Sequence, residues 1–212
     1  MPEYCNLELG QFKGEGHYDI PIIEPVYELP IRRWIAFSAV RSRTHENKNV
    51  GMHFFLDDRR FERVWNSPNK YLSFLDKFGC VLSPDYSLYT NMPKAVQIFN
   101  HYRKHWLAAY WQSLGYTVIP TIAWSDEESF EWCFDGEPKN SIVAVSNLGC
   151  CRTGSARQLF MLGYNEMLKR LQPKEVLFYA KSFYENQYPG NIRRIVHSLE
   201  YAEEVQNDLG RT

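Results

Sequence analysis

The chain lacks most of the features that assign a function at sight. It has no excess charge of one sign: 24 Lys and Arg against 25 Asp and Glu leave a formal net charge of −1. Phosphate neutralisation supplies most of the affinity for duplex nucleic acid, so such a partner is not expected, although a small pocket for one phosphate stays compatible. No run approaches the ~18 apolar residues of a spanning helix. The opening MPEYCNLELGQ carries neither a basic n-region nor an apolar h-region. These absences predict a soluble, cytoplasmic protein with no membrane partner. The five cysteines show no C-x-x-C spacing, so reduced thiols are expected rather than a zinc site or a disulfide framework. There is no internal repeat, low-complexity tract or charge run, and no Gly-rich dinucleotide fingerprint follows the first strand-like run.

What the chain does have is apolar runs that stop abruptly in polar groups. They are Arg33–Arg41, Gly79–Asp85, Thr117–Asp126, Ser141–Asn147 and Glu175–Lys181. Continuous apolar runs of this length read as strands buried on both faces, the pattern of parallel sheets covered by helices. Strands are predicted at Trp34–Val40, Val81–Ser83, Val118–Ala123, Ile142–Ser146 and Val176–Tyr179, and long helices at Pro93–Leu114 and Ala156–Leu171. Weaker helical signals lie in Asp57–Trp65, Pro68–Phe78 and Asn191–Gln206. Arg41–Val50 reads as a loop, and Met52–Leu56 fits strand or helix. At 212 residues the chain can bury roughly 70% of its unfolded surface, enough for one core. A single α/β domain over 1–212 is therefore expected, with 1–30 as an irregular lead-in draped over it. Its mostly parallel sheet would be flanked by helices in a partial or distorted (β/α) barrel, the alternative being an open doubly wound sheet.

In such folds ligands bind beyond the carboxyl ends of the strands. That rule gathers Arg41, Asp85, Asp126, Asn147 and Lys181, with Tyr86 and Trp124 beside them. Asp85 and Asp126 are candidate acid and base, and Lys181 a candidate phosphate holder or base. Each also has a bland reading: Asp85 fixing a turn after Pro84, Ser125 or Asp126 capping a short helix that carries Glu127 and Glu128 in its first turn, and Lys181 solvated at the surface.

Gly149-Cys150-Cys151-Arg152-Thr153-Gly154-Ser155-Ala156-Arg157 lies between a strand and a helix, where backbone N–H groups receive anions. Gly149, Arg152, Gly154, Ser155 and Arg157 are candidate anion-binding residues, but the lysine of a triphosphate loop is absent. Cys151-x-x-Gly154-x-x-Arg157 also resembles the signature of cysteine-dependent phosphatases, with Cys151 as nucleophile and Asp126 as leaving-group acid. Cys150 in place of the usual histidine, and the lack of Ser or Thr after Arg157, depart from that signature. His101 and His105 share one helix face at i, i+4. With no carboxylate in the motif, and Arg103 and Lys104 beside them, that face reads as solvated and no metal is assigned. No cofactor is implied.

Asp85–Tyr89, Tyr110–Pro120, Ser141–Ser146, Gly163–Glu166 and the Val176–Lys181 strand end together resemble a domain family of unknown function found in bacteria, phages and mobile elements. The resemblance covers roughly residues 75–182. It implies a bacterial or phage cytoplasmic context and shared residues clustered at strand ends, and it brings no activity with it. Two functional readings follow. One is a hydrolase or transferase acting on a phosphorylated or nucleotide-like small molecule in a strand-end pocket, the cysteine phosphatase being its narrower form. The other is a non-catalytic binding module that sequesters a ligand or blocks a host protein.

Overall fold

The structure is a computed structural model, and it describes residues 5–150, 152–180 and 188–195. The lead-in forms a small antiparallel hairpin, β1 (Gly14–Glu15) with β2 (Ile20–Pro21). Ile20 and Ile23 are fully buried there, which is why this Gly- and Pro-rich segment stays on the body of the protein. The chain then lays down β3 (Arg33–Ala36), β4 (Asn47–His53), the short helices α1 (Glu62–Asn66) and α2 (Leu72–Leu75), and β5 (Phe78–Leu82). After these come the long helix α3 (Lys94–Ser113), β6 (Val118–Ile119), β7 (Ile142–Ser146), helix α4 (Gly154–Leu171), β8 (Glu175–Tyr179) and β9 (Ile192–Ile195).

Every pairing from β3 onward is parallel. β3-β4-β5-β6 form one sheet and β7-β8-β9 a second. A single parallel bridge, Thr121 with Ala144, joins them, reinforced by Ile122 N–H to Ala144 O at 2.8 Å and Ala144 N–H to Pro120 O at 2.8 Å. β6 is shorter than the predicted Val118–Ala123, because beyond Ile119 side chains replace the backbone ladder to β5: Thr121 N–H donates to Ser83 Oγ at 2.8 Å and Thr121 Oγ1 to Ser83 O at 2.9 Å.

The strands are buried on both faces, as their continuous apolar runs require. On the outside, Ile35, Met52, Val81 and Val118 pack under α3 with Trp106, Leu107 and Trp111. Val143, Val145, Val176 and Phe178 pack under α4 with Phe160, Tyr164 and Met167. The alternate residues Trp34, Cys80, Leu82, Ile119, Ala144, Leu177 and Ile195, drawn from six strands, meet in one inner cluster. The sheet therefore curls into a partial barrel, and it does not close. Instead of pairing with β3, β9 sends Arg193 across, its guanidinium donating to Leu29 O at 3.0 Å and Ile31 O at 2.7 Å while Nε pairs with Glu175 at 2.6 Å.

Four local readings are corrected. Residues 47–53, taken partly as loop, are the strand β4. Ile192–Ile195 opens not a helix but β9, while 196–206 lie outside the described residues. Phe37–Ala39 leave the predicted first strand as a 3-10 turn. The helical signal of Pro68–Phe78 resolves into a 3-10 turn and α2, and Phe78 already begins β5.

The inner cluster depends on Gly51 of β4. A Cβ there would lie 2.5 Å from the Trp34 ring and 2.8 Å from Cys80 Sγ, so the indole occupies the space a side chain would need. Gly51→Ala is predicted to lower stability by about 1–3 kcal/mol through overpacking, although alanine is the less flexible residue. Chemical denaturation checks this; an unchanged or raised midpoint would mean that Trp34 moves freely.

Candidate functional site

A cleft of about 370 Å³ opens at the carboxyl ends of β4, β5, β6 and β7, across the seam where the two sheets are joined. Phe55, Leu56 and Asp57 come from the end of β4 and Asp85–Tyr89 from the end of β5. Ile122, Ala123 and Trp124 follow β6, and Ser146, Leu148, Gly149 and Cys150 follow β7, with Phe160 of α4 completing the wall. The lining is rich in aromatic rings, and among the described residues its ionisable groups besides Tyr86, Tyr89 and Cys150 are the carboxyls of Asp57 and Asp85.

Helix α3 holds the wall that carries Asp85. Gln97 Nε2 donates to Tyr89 O at 3.2 Å and Met92 O at 3.0 Å, and Asn100 Nδ2 donates to Ser87 O at 2.7 Å. Arg103 lies over the Tyr86 ring, 3.7 Å from its centroid, and pairs with Glu62 at 2.6 Å. From the other side Asp58 accepts from Ser87 N–H at 3.1 Å and Ser87 Oγ at 2.9 Å. The loop after β5 is thus fixed by side chains on both flanks.

Asp85 itself is half-buried, and none of the described residues donates a hydrogen bond to its carboxyl. Burial, and after it the neighbouring Asp58 carboxyl, raise its pKa, the Lys104 ammonium partly offsets both, and the net value is about 7. Asp58 is also raised, chiefly by burial. A carboxyl that titrates near neutrality in a cleft is equipped for proton transfer.

The strand-end residues divide. Asp85, Tyr86, Trp124 and Gly149 line the cleft. Asn147 is buried next to it, its amide donating to the Tyr188 hydroxyl at 3.2 Å. Asp126 takes the bland reading: it caps a 3-10 turn, its carboxylate accepting from Ser129 N–H at 3.0 Å. Arg41 is exposed away from the cleft and donates to Ser38 O at 2.6 Å and Val40 O at 3.1 Å. Arg152, Gly154, Ser155 and Arg157 are exposed around the first turn of α4, which Thr153 caps through Ala156 N–H at 3.1 Å. Cys151 and Lys181 lie outside the described residues.

Sequence reasoning missed Asp57 and Asp58, although the signal was present. They end the Met52–Leu56 run just as Asp85 ends its own, and only the undecided state of that run hid them. It also missed a buried polar cluster beneath the cleft. His101 and His105, expected on a solvated face, are buried together with Lys104 and Glu137. Lys104 Nζ donates to Glu137 Oε1 at 2.6 Å and Thr121 O at 2.9 Å.

With this geometry established, comparison with known proteins gives the chain its relatives. A family model described as "Domain of unknown function (DUF4417)" matches residues 12–195. The chain belongs to this family. The match is wider than the 75–182 expected from sequence motifs. The "Gene 1 protein" of Mycobacterium phage L5 is 43% identical over 180 residues, covering 84% of this chain and 78% of the phage protein. The "Gene 1 protein" of Mycobacterium phage D29 is 39% identical over 183 residues, covering 86% and 67%. The DUF4417 chain is thus a phage-type protein of a family without assigned function, and no solved structure matches it. Among the described residues no helix is long and apolar enough to cross a membrane.

One wall of the cleft depends on Gly163 of α4, where a Cβ would lie 2.2 Å from Trp124 Nε1. The missing side chain lets the indole lie against the helix and face Phe160, 5.1 Å away between ring centroids. Helix propensity favours alanine over glycine by about 1 kcal/mol, yet Gly163→Ala is predicted to destabilise by about 1–3 kcal/mol and to displace Trp124. Thermal unfolding and tryptophan fluorescence check this; a gain in stability with unchanged fluorescence would remove Trp124 from the wall.

Proposed function

We propose that the strand-end cleft is an active site of hydrolase or transferase type, in which Asp85 exchanges a proton with a flat, nucleotide-like small molecule. The observation that carries this reading is the environment of Asp85: half-buried, without a hydrogen-bond donor among the described residues, and titrating near neutrality at the cleft wall. The aromatic lining of Tyr86, Tyr89, Trp124 and Phe160 suits stacking on a ring. A phosphate on the ligand would meet the Gly149–Cys150 end rather than the Asp57–Asp85 end, because two carboxyls repel it. No Lys or Arg lines the described part of the cleft, so the ring and not the phosphate dominates recognition. Proton transfer near pH 7 and the cytoplasm of an infected cell are compatible settings.

The test separates catalysis from stability through the sign of the linkage. Because the folded-state pKa of Asp85 lies above its unfolded value near 3.8, the folded protein binds this proton more tightly. Asp85 is then neutral in its effect below pH ~4 and increasingly destabilising as pH rises to about 7, above which the cost stays constant. Asp85→Asn removes that cost. It is predicted to raise stability at pH 8 by on the order of 1–3 kcal/mol, with the gain vanishing near pH 4.

Thermal-shift and calorimetric screening of nucleosides and nucleotides should find a ligand that Asp85→Asn still binds, and whose turnover by the parent the variant loses by 10²-fold or more. A ligand bound without turnover by either protein would make the cleft a sequestering site. Loss of stability in Asp85→Asn at pH 8 would refute the buried, proton-binding environment itself.

A further inference from the structure

Below the cleft, α3 presents His101 and His105 one turn apart against the turn that follows Trp132. Their rings lie 4.3 Å apart between centroids. Backbone carbonyls orient both: His105 Nδ1 is 2.8 Å from Pro21 O, and His101 Nε2 is 3.1 Å from Asp135 O. A carbonyl only accepts, so each of those nitrogens carries the hydrogen. In the neutral rings the opposite nitrogens, His101 Nδ1 and His105 Nε2, then present lone pairs. His105 Nε2 faces Glu137 Oε1, and one ligating atom from each of His101, His105 and Glu137 lies within 4.8 Å of the other two.

Two features of the cluster are unresolved by the protein alone. His101 Nδ1 and Glu137 Oε2 are buried with no hydrogen-bonding partner among the described residues, in residues only 1% and 5% exposed. His105 Nε2 sits 3.0 Å from Glu137 Oε1, a lone pair facing a carboxylate oxygen. Two acceptors that close require a cation or a proton between them. Lys104 reaches Glu137 Oε1 but leaves Oε2 open.

We infer that His101, His105 and Glu137 form a binding site for one divalent transition-metal ion, of the zinc class. Two imidazoles and one carboxylate suit Zn²⁺, Co²⁺ or Ni²⁺, whereas Mg²⁺ and Ca²⁺ require oxygen ligands. The two carbonyls are the outer partners that metal-binding histidines use to fix tautomer and ring orientation. The site is closed to solvent, so the ion is structural. It clamps α3 to the 135–137 turn, while the His105 Nδ1–H to Pro21 O bond ties the same helix to β2. The Lys104 ammonium opposes the ion electrostatically and satisfies only one carboxylate oxygen, which leaves the second as the ligand.

The experiment strips the full-length protein with a chelator, then titrates it with Zn²⁺, Co²⁺, Mg²⁺ and Ca²⁺ separately. Native mass spectrometry should find one Zn²⁺ retained per chain. The melting temperature should rise by several degrees with Zn²⁺ or Co²⁺ and not with Mg²⁺ or Ca²⁺. His101→Gln and Glu137→Gln, which keep bulk near the original, should each lose retention at least 10-fold. If either variant fails to fold, zinc-edge absorption spectroscopy of the loaded parent decides, with two imidazoles and no sulfur expected. A folded parent that retains no Zn²⁺ would overturn the inference in favour of a shared proton. Retention unchanged in both variants, or sulfur in the coordination shell, would place the ion elsewhere and overturn it equally.

Discussion

The buried contact between Lys104 and Glu137 is the constraint around which the middle of this protein is arranged. Both side chains are almost wholly inside, at 3% and 0% exposure. A charge at that depth is tolerated only with its partner in place, and loss of one member of such a pair costs about 3–5 kcal/mol. Lys104 also donates to Thr121 O, the residue that bridges the two sheets. One side chain therefore ties α3, the seam of the sheet and the 135–137 turn together. The rest of the same helix face follows its lead: Gln97, Asn100 and Arg103 are buried too, and each is spent on the loop after β5. A helix that packed on the sheet by apolar contact alone would leave that loop, and with it Asp85, unpositioned.

What was legible in the sequence was whatever depends on burial of a continuous run. β7 and β8 are long, apolar and uninterrupted, and their ends were read to within one residue. β4 was not, because it starts in polar Asn47, Lys48 and Asn49 and turns apolar only at Val50. β9 presents Ile192 and Ile195 around two arginines, a spacing that fits a helix as well as a strand. Its Arg193 makes sense only in space, where it fills the gap between β9 and the residues before β3.

The site was legible to the same degree and for the same reason. The rule that ligands gather at strand ends picked out Asp85, Tyr86, Trp124 and Gly149, which do line one cleft, since parallel strands bring their carboxyl ends to one edge whatever the separation in sequence. It overreached at Asp126, where three following polar residues fold back into a capped turn. It could not reach Glu137, which stands 32 positions from His105 and is marked by no local pattern. A histidine pair on a helix is ambiguous until the third residue arrives from elsewhere, and here the flanking Arg103 and Lys104 pointed to the opposite answer. Their charge was real, but it is balanced internally, by Glu62 and Glu137.

Lys104 gives the two buried features of this family member a common element. It is the positive charge that acts on Asp85, holding its pKa below the level that burial and Asp58 would set. It is also the partner of Glu137. The same ammonium group is hydrogen-bonded to Glu137 and acts on Asp85 through its charge alone. A change of charge at Glu137 alters how firmly Lys104 is held there, and hence how much of its field reaches Asp85. The proton affinity of the cleft is set chiefly by burial and by Asp58, and it is trimmed from beneath by a lysine that no ligand in the cleft has to touch.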